Sequence, residues 1–516
     1  MKVKVTQEKT AGFAEVKEKE KGETMDLKRE KTFKDLREYI ARLDIDGEIQ
    51  QIETEVDWNL EVGAIIRRSY DLKAPAPFFQ KVKGYPGEYR ILGAPVGLSR
   101  SPGAAHKRLA LSLGMDPSAS VETIIEEYIR RKKSPIKPNL VSTGSCKENI
   151  HIGDEVNLFE FPAPFLHEGD GGRYIGTWNL VITKDPDSGW VNWGMYRLMI
   201  HDQNTMGGII HPNSNAGLQY QKYEARNQPM EFAIAMGTEP VSPLIAATRI
   251  PLEVNEADVV GGIRGEPLEL VHCETVDLEV PASSEIVMEG IILPNERKEE
   301  GPFGEYTGYR AGDRAPRPVY HVKAITHRDS PILPVTCMGV PYDDSAAFMP
   351  IIKAAEILDE LRRSRFPVKM VYCPPEAVTH LAVVSTKVPY PKYVNQLAHA
   401  IWGSTGWGGS CWYLVVVGDY IDVTQMDQVL WAFATRCHPY RGIHQDPNSP
   451  GQPLLPFLDA EEKRNFTSAR VLFDCTWPKD WPQEFIPEKA SFDVMWPKEI
   501  QEKVLKNWSR YGYKEG

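Results

Sequence analysis

No Cys-x-x-Cys pair occurs among the seven cysteines, Cys146, Cys273, Cys337, Cys373, Cys411, Cys437 and Cys475. An odd, dispersed set argues against a disulfide framework or a cysteine-built zinc site, and for reduced thiols in a cytoplasm. No apolar run reaches the roughly 18 residues that span a bilayer. Phosphate-cradling loops are missing too: there is no Gly-x-x-x-x-Gly-Lys-Ser/Thr and no Gly-x-Gly-x-x-Gly after a strand. The glycine-rich Gly406–Cys411 fits neither pattern, and Cys411 reads as an ordinary small residue. Basic excess is absent, with 60 Lys and Arg against 71 Asp and Glu and a net charge of -11. No basic stripe interleaves with aromatics, which argues against nucleic acid as a partner. Internal repeats are absent. Residues 1–31 are Lys/Glu-rich without the apolar core of a secretory signal, so a mobile charged tail is expected there, with Met25 an alternative start.

What the chain does have is core-forming material. Its 516 residues are 42% hydrophobic and 10% aromatic, enough for two or three domains. Thr32-Phe33-Lys34-Asp35 reads as an N-cap with an acid three residues on, ahead of Leu36, Tyr39, Ile40 and Leu43 at helical spacing. Ala64–Tyr70 after Gly63 and the amphipathic Val121–Lys132 are further predicted helices. From about Gly144 the texture turns to short β-prone runs: Tyr174–Thr183, Trp190–His201, Met206–Ile210, Phe232–Met236, Leu268–Val271, Ile286–Leu293 and Val319–Thr326. Gly/Pro/Asn clusters separate them, and one helical stretch, Leu218–Asn227, interrupts them. This predicts a mainly antiparallel, barrel-like domain. Pro350–Arg363 reads as a long linking helix. Strand and helix then alternate: Val368–Tyr372, Leu381–Thr386, Tyr393–Ile401, Trp412–Val417 and Met426–Thr435, an α/β sandwich pattern. The tail ends in Pro497–Arg510, with Ile500, Val504 and Trp508 at helical spacing, as expected of a helix that docks on its own chain or on a partner subunit.

Glu299-Glu300-Gly301-Pro302-Phe303-Gly304-Glu305-Tyr306-Thr307-Gly308-Tyr309-Arg310 is the most informative run. Three glycines and a proline rule out a regular element across it. Glu300 and Glu305 can therefore converge only if the intervening residues fold as a loop. Two carboxylates in such a loop suit general acid chemistry, because burial and like charge raise one of the two pKa values. On composition alone, the run is a solvated acidic turn. In Val191-Asn192-Trp193-Gly194-Met195-Tyr196-Arg197, Asn192 offers an amide oxygen and Arg197 an anion fork. A flat strand would face these two apart, and a bulge at Gly194 is expected to bring them together. Read alone, Arg197 is an ion-pair arginine and His211 a structural histidine. Asn192, His211 and Glu256 together would make an O/N set suited to Mn²⁺ or Mg²⁺.

Three runs in this order resemble the prenylated-flavin-dependent, UbiD-type decarboxylases, a family that includes 3-polyprenyl-4-hydroxybenzoate decarboxylase and ferulic acid decarboxylase. They are Asn192–Arg197, Val280-Pro281-Ala282-Ser283-Ser284-Glu285-Ile286-Val287-Met288-Glu289-Gly290 and Glu300-Gly301-Pro302-Phe303-Gly304-Glu305. Asp427–Arg436 is similar as well, and the resemblance runs from about Thr32 to Tyr513. It implies an α+β fold, with a flavin-reductase-like split β-barrel joined by a long helix to an α/β oligomerisation domain. The resulting division is a tail (1–31), an N-terminal α/β segment (32–143), the prenylated-FMN-binding barrel (144–340), the linker helix (341–365), the C-terminal domain (366–495) and a docking helix (496–516).

The resemblance further implies that Arg197, Glu300 and Glu305 form the catalytic set and that Asn192, Trp193, Met195, Arg197, His211 and Glu256 bind the cofactor. Asn192, His211 and Glu256 would hold the divalent metal, with the Asn215 position as the alternative to His211. The implied cofactors are prenylated FMN, Mn²⁺ (or Mg²⁺ or Fe²⁺) and K⁺. The implied partners are an aromatic or α,β-unsaturated acid, CO₂, a flavin prenyltransferase as cofactor supplier, and a second copy in a homodimer or larger homo-oligomer. The implied activity is reversible decarboxylation. Alternatives are the same chemistry on an aromatic acyl-CoA thioester, a phenol carboxylase, a flavin reductase built on the barrel alone, or an inactive scaffold.

Overall fold

The computed structural model describes residues 32–514, apart from 311 and 405. The expected charged tail, 1–31, lies outside the described residues. The first helix is Leu36–Ile45, and its cap is Asp35, which accepts from the Glu38 amide at 2.8 Å. Thr32, the expected cap, instead donates its hydroxyl to Glu266. Asp35 wins because it sits immediately before the periodic apolar residues, with Glu38 three residues on. The next helix, Glu61–Asp71, takes in Gly63, where any side chain would collide with the Leu166 backbone. Close packing, rather than helix termination, is that glycine's role. The N-terminal sheet runs Ile49–Ile52, Ala76–Phe79, Arg90–Gly93 and Ile332–Val335, so its last strand comes from far along the chain.

The central sheet has nine strands. Their order is Tyr174–Gly176, Leu198–Ile200, Thr205–Gly208, Ala315–His327, Ile286–Glu300, Met230–Met236, Asn179–Lys184 and Val191–Gly194, with Asn149–Ile152 pairing on Ala315–His327. Connectivity forces this sheet to curl. Val191–Gly194 lies at one edge, and Leu198–Ile200 lies second from the other. Only Met195, Tyr196 and Arg197 join them, a span of at most about 14 Å. In a flat sheet six interstrand spacings would separate them by about 29 Å. The two ends must therefore approach, and a split barrel results. Both faces are buried. Phe232, Ile234 and Met236 point into the barrel core, while Ala233 and Ala235 face a second core shared with the linker helix and the C-terminal domain. This explains why Met230–Met236 reads as continuous apolar sequence.

Two expected barrel features differ. The Trp190–His201 run breaks at Gly194 into two strands on opposite sides of the opening. The Leu268–Val271 run belongs to a separate three-stranded sheet, with Asn139–Leu140 and Glu279–Pro281. The linker helix is Asp344–Arg363; it opens before Pro350 because Asp343 caps it, accepting from the Ala346 amide at 2.8 Å. It packs on Val121–Lys132 and on the C-terminal sheet, whose order is Val368–Tyr372, Leu381–Thr386, Tyr413–Gly418, Thr467–Cys475 and Ile443–Pro450. The tail forms Lys498–Lys506 with no buried residue; it packs on the neighbouring Phe492–Met495 turn, and Gln501 donates to the Asp493 and Trp496 carbonyls at 3.1 and 2.7 Å.

Candidate active site

Glu300 is the last residue of the Ile286–Glu300 strand, opposite Ala315. Gly301 then takes φ +84°, a left-handed conformation that suits glycine, and the chain turns back through Phe303 to Glu305. Arg197 enters from the three-residue link that closes the barrel. Its Nε and Nη2 each donate to one Glu300 oxygen at 2.9 Å, a bidentate fork, and its Nη1 donates to Glu305. The sequence places Glu300 and Glu305 on different faces of any regular element; the loop brings both onto one guanidinium. Tyr174 also donates to Glu300 at 2.8 Å, and the Phe303 ring lies 5.2 Å from the guanidinium carbon.

Both carboxylates are buried, Glu300 to 1% and Glu305 to 6% exposure. Burial raises the Glu305 pKa and Glu300 adds to this, while the Arg197 charge opposes it. Burial works against the Arg197 cation, but Glu305 and Glu300 more than offset it and its pKa rises. The arrangement is one fixed positive charge, one carboxylate forked onto it, and a second carboxyl held toward its neutral form. Such a site can grip an anion and move a proton.

A second group lies on the Val191–Gly194 strand, just before the link that carries Arg197, and on the helix packed beside it. Asn192 is buried, and its amide nitrogen finds no partner. Glu256 begins the Glu256–Arg264 helix; its carboxylate accepts from the Trp193 amide at 3.0 Å, and burial pushes its pKa up to about 8. The Trp193 ring is core, so only its backbone serves this region, and Met195 packs on the same core. Tyr196 folds back over Gly194, where any side chain would meet its ring. Its hydroxyl meets Ser214 and the Ala216 backbone at the start of the Asn215–Ala225 helix, within reach of the Glu256 charge. The bulge expected at Gly194 is thus a strand end with an aromatic laid across it.

His211 is placed with its Nδ1 accepting from the Asn213 amide at 3.2 Å, which leaves the proton of the neutral ring on Nε2. That Nε2 is buried without a partner, and burial, Arg249 and Arg317 lower its pKa. A neutral N–H among two cations faces an anion more readily than a metal. Asn215, the alternative position, turns its amide toward the Ile250 carbonyl at 3.4 Å.

Several contributing residues escaped sequence reasoning. Asp170 accepts from the Gly304 amide at 3.1 Å and holds His167 Nδ1 at 3.0 Å. The His167 ring fills the space where a Gly304 side chain would sit, so the pair braces the loop before Glu305. Tyr306 donates to Gln452 at 3.4 Å and stands edge-on to His380, both in the C-terminal domain. The loop that carries Glu305 therefore also touches the C-terminal domain. The signal for the brace was His167-Glu168-Gly169-Asp170-Gly171-Gly172, a polar turn dense in glycine just before a strand. By contrast, the Val280–Gly290 run carries no site residue; its Glu285 forks onto Arg37 at 2.8 and 2.9 Å and meets Arg328 at 3.3 Å, a structural clamp.

Comparison with known proteins decides the family. Models of the 3-octaprenyl-4-hydroxybenzoate carboxy-lyase N-terminal, Rift-related and C-terminal domains match residues 40–128, 139–341 and 346–475. The chain belongs to the UbiD family. It is 36% identical over 488 residues to the pyrrole-2-carboxylic acid decarboxylase of Pseudomonas aeruginosa, covering 93% of this chain and 98% of that protein. It is 32% identical over 495 residues to ferulic acid decarboxylase 1 of Saccharomyces cerevisiae, covering 93% and 98%. The closed form of Sedimentibacter hydroxybenzoicus vanillic acid decarboxylase superposes with a TM-score of 0.82 at 30% identity, covering 93% of this chain and 99% of that one. An evolved dimeric form of the UbiD-class enzyme HmfF from Pelotomaculum thermopropionicum, in complex with prenylated FMN, superposes with a TM-score of 0.72 at 30% identity, covering 88% and 97%. The UbiD fold and the expected split barrel with its linked α/β domain agree, and the chain is a carboxy-lyase.

Proposed function

We propose that this UbiD-family enzyme is a reversible, non-oxidative decarboxylase of an aromatic or α,β-unsaturated carboxylic acid, dependent on prenylated FMN. The observation that carries the reading is the half-buried Arg197 forked onto the buried Glu300 while also holding Glu305. Losing CO₂ from an sp² carbon leaves an electron pair that no side chain here can absorb. When bound, the modified flavin supplies the electron sink for that pair. Arg197 orients the substrate carboxylate through the edge it now offers to Glu305. Glu300 fixes the guanidinium plane, and Tyr174 fixes Glu300. Glu305 delivers its proton to the carbon that has lost CO₂ and recovers one from solvent; carboxylation runs the same transfer backwards.

The residues present fit the cofactor. Asn192, a buried amide with no partner on its nitrogen, would ligate through its oxygen and Glu256 through its buried carboxyl; both are hard donors suited to Mn²⁺ or a similar divalent ion, which would offset the charge of the flavin phosphate, with K⁺ alongside. His211 completes that set only in the tautomer with its proton on Nδ1; as placed, its Nε2–H, with Arg249 and Arg317 nearby, suits a phosphate oxygen instead. The backbone at Trp193 and Met195 lines the cofactor.

A homodimer or larger homo-oligomer is supported by large apolar side chains left exposed in the C-terminal part of the chain, among them Leu430 (61% exposed), Leu505 (64%) and Trp508 (37%). Seven free cysteines support a reducing, cytoplasmic setting; dependence on prenylated FMN would require a flavin prenyltransferase as cofactor supplier.

The deciding test is co-expression with a flavin prenyltransferase without oxygen, followed by absorbance, metal analysis and turnover of a panel of aromatic and unsaturated acids. Bound prenylated flavin with CO₂ release is expected. A colourless protein under those conditions overturns the reading.

A further inference from the structure

The strands Asn149–Ile152 and Ala315–His327 pair antiparallel, with His151 opposite Ile325 and Asn149 opposite His327. Opposed residues share a face, and so do residues two apart on one strand. His151 therefore stands on the same face as His327, as its diagonal neighbour, within reach of two imidazoles. The chain then turns through Leu158–Glu160 and brings the Glu160 carboxylate over the same spot. One ligand atom from each of His151, Glu160 and His327 lies within 4.8 Å of the others.

The geometry is that of a coordination edge. The two Nε2 atoms are 3.4 Å apart, and His327 Nε2 is 3.7 Å from Glu160 Oε1. With metal–nitrogen bonds of about 2.0–2.1 Å at tetrahedral angles, two nitrogen ligands stand about 3.3–3.4 Å apart. His327 is also oriented as a ligand. Its Nδ1 is 2.8 Å from the Arg328 carbonyl, to which it donates, so the Nε2 lone pair is left facing His151 and Glu160. Tyr89 donates to Glu160 Oε1 at 2.7 Å and holds the carboxylate in place. Phe161 stands edge-on to the His327 ring at 5.5 Å. His327 is buried, while His151 and Glu160 remain half-buried, which leaves a path for an ion to enter.

This cluster is separate from the Arg197 site. Glu300 pairs with Ala315 at one end of the long hairpin and His327 lies at the other, about 40 Å of strand away. We propose that His151, Glu160 and His327 form a binding site for a divalent cation of the zinc type, two imidazoles and one carboxylate with water in the fourth position. The ion ties the edge strand Asn149–Ile152 and the following turn to the end of the barrel hairpin.

The test compares the holoenzyme with its His151→Ala and Glu160→Gln variants, each dialysed against Zn²⁺, desalted and analysed for zinc per chain. Because the comparison is a difference, any metal held elsewhere cancels, and the outcome does not depend on the proposed decarboxylase mechanism. The wild type is expected to carry one zinc per chain more than either variant. Zn²⁺ is expected to raise the melting temperature of the wild type alone, and turnover per holoenzyme stays the same in all three. Equal zinc content in the wild type and the His151→Ala variant overturns the site and leaves a plain imidazole–imidazole hydrogen bond. Should that variant fail to fold, equal zinc content in Glu160→Gln overturns it as well.

Discussion

Replacing Glu305 with Gln separates catalysis from stability at this site. The amide keeps an oxygen for Arg197 Nη1 and nearly the same volume, but it carries no transferable proton. Loss of a positioned general acid costs about 10²–10⁴ in rate, or about 2.7–5.4 kcal/mol at 1.36 kcal/mol per tenfold. The stability effect has the opposite tendency. Burial raises the Glu305 pKa above the unfolded value of 4.5. A carboxyl with a raised folded pKa contributes stability in full below the unfolded value and loses it as pH rises through the folded one. Glu305→Gln, neutral throughout, should melt no lower than the wild type at pH 7 and lose less stability between acid and neutral pH. The assay is turnover on the acid panel, solvent deuterium exchange into product, and melting curves across pH, with flavin content measured to show the cofactor still bound. Turnover within tenfold of the wild type refutes the assigned role. A large drop in melting temperature at pH 7 makes Glu305 a structural carboxylate instead.

Further consequences can be measured independently. Asn192→Ala and Glu256→Ala should each lose divalent metal and flavin absorbance together, and an unchanged spectrum in either counts against the metal set. Gly194→Ala forces a methyl group into the Tyr196 ring and should destabilise by about 1–3 kcal/mol, read as lower melting and lower turnover; wild-type behaviour would mean that Tyr196 swings away freely. For His167, burial alone lowers the pKa, but Asp170 and Cys337 overcome it and push it up to about 10. The contribution of that pair is therefore complete below pH 6.5 and is lost as pH rises through about 10, so His167→Asn should flatten the fall in stability across that window, and parallel curves exclude the brace. Leu505→Glu on the exposed tail helix should shift sedimentation toward a smaller species; unchanged sedimentation moves the interface elsewhere.

Local periodicity made much of the architecture readable. Val121–Lys132, Val368–Tyr372 and Leu381–Thr386 follow their predicted spans, because each is a short apolar pattern bounded by its own caps and breakers. The Arg, the two Glu and the Asn of the candidate site were legible as residue types, and Gly301, Pro302 and Gly304 preclude a regular element between Glu300 and Glu305. The glycine-broken loop made convergence of Glu300 and Glu305 possible to foresee, but not the partner they converge on. The roles of His167, Asp170 and Tyr174 were not legible: the glycine-dense polar turn at His167–Gly172 marks a local feature, but their contacts lie with residues more than 120 positions away, and no local pattern encodes which.

What the sequence determines by itself is therefore local: where elements start and stop, which faces are apolar, and which chemistry is available. What the tertiary structure decides is who meets whom. The break at Gly194 shows the difference. Read along the chain, Val191–Arg197 is one β-prone run, and a bulge is the economical way to align Asn192 with Arg197. In the fold, sheet order puts Val191–Gly194 at one edge and the next strand, Leu198–Ile200, second from the other, and three residues must bridge them. The barrel closes for that reason, and closure carries Arg197 onto carboxylates from the far end of the longest hairpin. Pairing across the sheet is set by the sum of many weak contacts, so it emerges only when the whole chain is packed.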